Sequence, residues 1–279
     1  MISQYYMIKN LLNTMKLINM KYIMIDIYCL IHDKLKRGKK LFPILALIIL
    51  STILLMNGWS FPSANAQTED CYNLESKSAL PALLIHGWNE GEGGDYEIHF
   101  NEWEKELNQN MIPFCIISFE QSPDACGSSA DHAKELAQIV QNIIRETGQN
   151  QVNIVGFSKG GLDARVYLAN NLANDDVANL IMVGTPNAGS PLALLTNDCY
   201  PGILDIRPGA PPTNVRQNIH TQYYTIAGTC RITGDEIVLE SSVNSKPYFK
   251  SLGTSNSCHA DLLGAYEYGL AYKVLEGRR

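Results

Sequence analysis

The sequence contains no internal repeat, no low-complexity tract beyond its first 66 residues, no Cys-x-x-Cys pair and no glycine loop followed by Lys-Ser or Lys-Thr. These absences argue against a repeat array, a zinc site of closely spaced thiolates and the phosphate cradle of a nucleotide-binding loop. Positive charge is also scarce after residue 66. Of the 22 Lys/Arg and 28 Asp/Glu, residues 1–66 hold eight and two, which leaves 14 against 26 and a net charge of −12 for residues 67–279. A body of that sign repels nucleic acid and anionic head groups through its general field, so no nucleic-acid partner is expected. What remains is an ordinary globular composition, 46% hydrophobic and 18% charged.

Residues 1–66 differ in kind. "KLKRGKK" (34–40) is basic, "LFPILALIILSTILLM" (41–56) is apolar and uncharged, and "SANA" (63–66) offers a small-x-small site. That order is expected of a secretory signal cleaved after Ala66, which makes the protein secreted; a tether through residues 41–61, holding it at the cell surface, is the alternative. The expected organisation is therefore 1–66 as an N-terminal extension and 67–279 as the catalytic domain, in a monomer. Six cysteines follow the extension: Cys71, Cys115, Cys126, Cys199, Cys230 and Cys258. An even number in an exported body allows three disulfides, and Cys115–Cys126 is the expected pair because it closes a short loop.

From residue 79 onward short apolar runs alternate with amphipathic stretches. Strands are expected in "ALPALLI" (79–85), "FCIISFE" (114–120), "QVNIV" (151–155), "NLIMVG" (179–184) and "QYYTIAG" (222–228). Helices are expected over 96–110, from about Ala133 to Gly148, behind Gly160, and over 261–275. Uninterrupted apolar strands between helices point to an α/β fold, a mostly parallel sheet covered on both faces. Between Gly184 and Thr221 the rhythm stops, and six of the twelve prolines fall there among leucines and isoleucines. An insertion of that aliphatic content reads as a small cap or lid over the strand ends, at about 186–220.

Residues 156–160 read Gly-Phe-Ser-Lys-Gly between a strand and a helix. A tight strand-to-helix turn strains the central residue and crowds its flanks, so Gly156 and Gly160 suit the positions two before and two after Ser158. The turn also puts that serine at the positive end of the next helix. This context makes Ser158 a candidate nucleophile rather than a turn residue. A serine hydroxyl needs a base, and the base an orienting carboxylate. In this strand-turn-helix arrangement the partners follow in the order acid, then histidine. His32, His86, His99 and His132 precede Ser158, and His220 leaves little room for an acid on a strand end before it, so His259 is the expected base. Asp235 is the expected acid, with Glu236 as fallback and Glu240 nearby. Asp205 lies in the cap, Asp261 suits a helix start, and Asp163 reads as an ion-pairing or dipole residue. For the oxyanion, the backbone N–H of Lys159 and that of Trp88, in the loop after the first strand, are the expected donors.

Together "LLIHGW", "VGFSKGGLDARVYL", "VGTPNAGSPLA", "GDEIVLESS" and "CHADLL" resemble the lipase branch of the α/β-hydrolase superfamily over most of residues 79–275, with further likeness to membrane-lipid deacylases. The resemblance implies Ser158, Asp235 and His259 as triad, Trp88 and Lys159 as oxyanion donors, and hydrolysis of lipid or other acyl esters through an acyl-enzyme. Many relatives carry His in place of Phe157 and a neutral residue in place of Lys159. Alternatives with the same triad are an amidase, a thioesterase or an acyltransferase; a non-catalytic surface protein on the scaffold is another. The chemistry requires no cofactor, and no acidic loop is dense enough to assign a metal such as structural calcium.

Overall fold

A computed structural model describes residues 71–88, 96–117, 119, 126–170, 174–230 and 233–277. The extension over 1–66, with its signal and tether readings, lies outside them, as do the glycines at 91, 93 and 94. The described residues belong to one structural unit, Asn65–Arg279.

Seven strands form one sheet: β1 (Cys71–Tyr72), β2 (Ala82–Ile85), β3 (Phe114–Ile117), β4 (Val152–Phe157), β5 (Val177–Val183), β6 (Gln222–Gly228) and β7 (Phe249–Ser255). Their order is β1-β3-β2-β4-β5-β6-β7. All neighbours run parallel except β1, which lies antiparallel on β3. The long helices are α1 (Tyr96–Gln109), α2 (Ser129–Thr147), α3 (Lys159–Ala169) and α4 (Ala265–Leu275).

The strand sequences explain why both faces are covered. Side chains alternate across a strand, and here both sets are apolar. Leu83, Ile85, Ile154, Leu180 and Met182 join one core with Leu136, Val140 and Ile143 of α2 and Tyr167 and Leu168 of α3. Ala82, Leu84, Val155, Ile181 and Val183 join the other with Phe100, Trp103 and Leu107 of α1 and Tyr268, Ala271 and Leu275 of α4. Burying one such Leu, Ile, Val or Phe contributes about 1.5–3 kcal/mol. Helix α2 starts where the Ser128 hydroxyl accepts a hydrogen bond from Asp131 N, and ends at Gly148 with φ 64°, a conformation that favours glycine.

Several boundaries differ from the sequence expectation. Strand β3 ends at Ile117 rather than 120, and β5 begins at Val177 rather than 179. The last helix begins at Ala265, because a separate 3-10 turn occupies His259–Asp261 and Gly264 intervenes. Strands β1 and β7 had no sequence expectation. The cysteine pairing also needs correction. Cys115 bonds Cys71, Cys126 bonds Cys199, and Cys230 bonds Cys258. Cys71 stands directly opposite Cys115 in the β1–β3 ladder, with Cα atoms 4.1 Å apart. Cross-strand neighbours, not loop length, selected the partner.

The proline-rich segment after β5 contains three single turns, at Pro191–Leu194, Gly202–Asp205 and Pro211–Asn214. Arg165 of α3, 1% exposed, holds its base by donating to the Asn187 carbonyl and side-chain oxygen. The Cys126–Cys199 bond ties its middle to the start of α2. Among the described residues no helix is long and apolar enough to cross a membrane.

Candidate active site

Strands β4, β6 and β7 run parallel, so the segments that leave them emerge at one edge of the sheet. Clefts beyond the carboxyl ends of such strands are where open α/β sheets place their sites. Ser158 follows β4, Asp235 follows β6 and His259 follows β7.

Ser158 lies at φ 49°, ψ −123°, a conformation unfavourable for a residue with a Cβ. Crowding explains why the chain uses glycine around it. A Cβ on Gly156 would fall 2.5 Å from Gly161 Cα, and one on Gly160 would fall 2.4 Å from the His86 carbonyl oxygen. Gly87 meets the same limit, since its Cβ would lie 2.9 Å from Ser158 Cβ. The loop carrying Gly87 and Trp88 therefore sits directly against the serine. Trp88 packs with Leu162, Ala193, Ile203 and Ile206. Lys159 opens α3 with the first backbone N–H beyond the bend.

The three expected polar side chains lie in one hydrogen-bonded chain. His259 Nδ1 is 2.7 Å from Asp235 Oδ2, and its Nε2 is 2.9 Å from Ser158 Oγ. With the Nδ1 proton directed to the carboxylate, Nε2 presents a lone pair to the serine hydroxyl. Asp235 is fully buried, and its other oxygen accepts from the backbone N–H groups of Ile237 and Val238. Its own carbonyl accepts from His259 N at 2.9 Å. The carboxylate is thus oriented from both sides. The Phe157 ring lies 5.0 Å from the imidazole. The Cys230–Cys258 bond fastens the residue just before His259 to the exit of β6.

The other candidates lie apart from this chain. Glu236 is exposed at φ 83°, and Glu240 accepts from Thr254. Asp205 accepts from the Ser129 backbone N–H. His220 is exposed and 3.5 Å from Asp175. The His86 Nδ1 is 2.9 Å from the Gly87 carbonyl. One cluster of metal-ligand residue types occurs among the described residues, Cys230, Glu236 and Cys258, but its two sulfurs are joined in a disulfide and so are not thiolates. A cavity of ≈ 390 Å³ lies against the Asp235 loop, lined by Pro191, Leu192, Thr233, Gly234, Glu236, Ile237, Val238 and Leu239.

A second buried cluster had only a partial sequence signal. Lys159 is 1% exposed, and its ammonium donates to both carboxylate oxygens of Asp163, at 2.8 and 3.0 Å. His132 Nδ1, from α2, lies 2.7 Å from Asp163 and 3.2 Å from the ammonium. Burial pushes the Asp163 carboxyl up most strongly, yet the positive charge of Lys159, the His132 ring and their hydrogen bonds outweigh it and hold the group below the usual carboxylate range. The four-residue spacing of Lys159 and Asp163 was a readable signal for this pair. The histidine comes from another helix and carried none.

A family model described as palmitoyl protein thioesterase matches residues 81–227, more than half of the chain. The match covers β2 through β6 and stops before Asp235 and His259. A triacylglycerol lipase of Pseudomonas fragi is 31% identical over 117 residues, 40% of this chain and 36% of that protein. One from Vibrio cholerae is 27% identical over 160 residues, 56% of this chain and 47% of that protein. The chain spans less than half the length of these curated relatives. Among solved structures, Bacillus licheniformis lipase BlEst2 in mature form superposes with a TM-score of 0.57 at 20% identity, over 72% of this chain and 93% of that one. That likeness places the sheet and its helices in the α/β-hydrolase fold.

Proposed function

Because the chain belongs to the palmitoyl protein thioesterase family, we propose that it is a serine hydrolase cleaving carboxylic esters of lipids or other acyl groups, with Ser158 as nucleophile. The carrying observation is the continuous path Asp235–His259–Ser158, with separations of 2.7 and 2.9 Å, at one edge of a parallel sheet.

In this reading Ser158 Oγ attacks the acyl carbon and passes its proton to His259 Nε2. Asp235 stays ionised and holds the ring so that the imidazolium is stabilised as it forms. The backbone N–H groups of Lys159 and Trp88 receive the developing oxyanion. Collapse expels the alcohol, which takes the proton from His259, and leaves the acyl group on Ser158. Water then attacks that carbonyl, gives a proton to His259, and a carboxylic acid departs as the serine regains its hydrogen. Export, in secreted or cell-surface form, is supported by three disulfides and by the basic, apolar and small-residue order of 34–66. Residues 186–220 act as the cap in this proposal.

Ser158→Ala is expected to abolish fluorophosphonate labelling and p-nitrophenyl ester turnover, measured on folded protein; activity that survives the change would remove Ser158 from the role. The family description favours a second reading on the same residues, thioester cleavage. Rates on palmitoyl oxygen esters and palmitoyl thioesters, compared side by side, decide between them.

A further inference from the structure

We infer that the buried Lys159 side chain is a positioning group for the oxyanion site, fixing, with Asp163 and His132, the backbone N–H that follows the nucleophile. The inference rests on the preceding assignment of that N–H as an oxyanion donor.

A helix usually secures its first turn through the side chain of its N-cap residue. Ser158 occupies that position in α3 but makes no such bond, because its hydroxyl is turned toward His259. The first turn of α3 is therefore without its ordinary fastening at the place where an N–H must be aimed. Lys159 supplies a fastening from inside. Its side chain is buried, and its ammonium grips the Asp163 carboxylate one helical turn further on. His132 of α2 contacts both groups and so ties the first turn of α3 to a neighbouring helix.

The fastening continues toward the other expected donor. The Phe119 ring stacks on His132 with centroids 3.7 Å apart and planes within 7°. His86 meets Phe119 edge-on at 5.6 Å, and His86 lies two residues before Trp88 in the loop pressed against Ser158. A chain of stacked and hydrogen-bonded side chains thus connects the segments carrying both expected donors. Lys159 and Asp163 balance each other's charge, so the contribution is to geometry rather than field.

Stability alone is a poor explanation for this pair. Removing a full ammonium and a full carboxylate from water is costly, and apolar replacements of similar volume are often neutral or stabilising. What an apolar pair does not provide is direction.

That distinction sets the test, made by steady-state kinetics and thermal unfolding on the full chain. Lys159→Met and Asp163→Leu alone each strand a buried charge and are expected to lower Tm. The double variant removes both charges and is expected to recover Tm while keeping KM within about twofold and losing about ten- to a hundredfold in kcat, below the roughly 10²–10³ of a deleted donor. Its affinity for a trifluoromethyl ketone, whose adduct mimics the tetrahedral intermediate, should fall by the same factor. Native kcat at recovered Tm would overturn the inference. If the double variant does not fold, His132→Gln decides, since it keeps the Lys159–Asp163 pair. A fall in kcat at constant KM supports the inference, and unchanged kcat overturns it. Absence of fluorophosphonate labelling in the native chain would sink the hydrolase reading together with this one; native labelling with unchanged variant kinetics would sink this one alone.

Discussion

Asp163 shows how one group's surroundings become a property of the whole chain. Its carboxyl holds a proton less readily in the folded state than in the unfolded, where the ordinary value is about 3.9. As acid is added the unfolded chain takes up the proton first. Its contribution to stability is therefore complete above pH about 5 and drains away as pH falls through 4 and below. Thermal midpoints between pH about 5 and 3 should drop more steeply in the native chain than in the Lys159→Met/Asp163→Leu variant, in which that carboxyl is absent. Equal slopes would deny Asp163 this part in acid sensitivity. Individual side chains were unequally legible. Ser158 announces itself because the bend that carries it demands glycine at 156 and 160. The order Ser158, Asp235, His259 also follows from the sequence, but the hydrogen bonds from Ile237 and Val238 to Asp235 do not, because a backbone turn, not a residue type, makes them.

Among the strands, β2 and β4 could be read because both faces are buried and every residue is pressed toward an apolar type. Strand β7 escaped for the opposite reason. It forms an edge of the sheet, exposes Lys250, Ser251 and Thr254, and takes Gly253 where its register shifts. Nothing in "FKSLGTS" alternates cleanly enough to stand out. The disulfides were legible in number but not in pairing, since partners such as Cys126 and Cys199 are brought together only by the folding of the proline-rich segment after β5. Cys230 and Cys258, 28 residues apart, join the exit of β6 to the turn carrying His259. In the chain-entropy account, replacing both by Ala costs about 3.5 kcal/mol. Urea unfolding checks that figure. The same variant should lose kcat more than KM, as the imidazole loses its anchored neighbour; a stability loss with native kcat would show that the turn holds itself.

For the whole molecule, net −6 over its 279 residues, the uneven charge sets an expectation for the form that the proposed cleavage after Ala66 would leave. Residues 67–279 carry a net charge of −12, and such a body is repelled by anionic vesicles over a Debye length of about 30 Å at 0.01 M salt and about 10 Å at 0.1 M. Ester hydrolysis in anionic vesicles should therefore rise with added salt, while hydrolysis in zwitterionic vesicles stays nearly flat. A flat response in both would mean that a local patch, not the net field, governs approach. The α/β architecture itself was legible at this level, because alternating strand and helix patterns permit few other arrangements.

The bend at Ser158 has one more implication. A backbone at φ 49°, ψ −123° suits glycine and disfavours any larger residue by about 1–3 kcal/mol. In the proposed role this strain falls at the nucleophile itself, and a change to glycine there is expected to relax the backbone while removing the hydroxyl. A hydroxyl kept at that point runs against a thermodynamic slope, so under that assignment robustness and reactivity would pull in opposite directions at a single peptide unit.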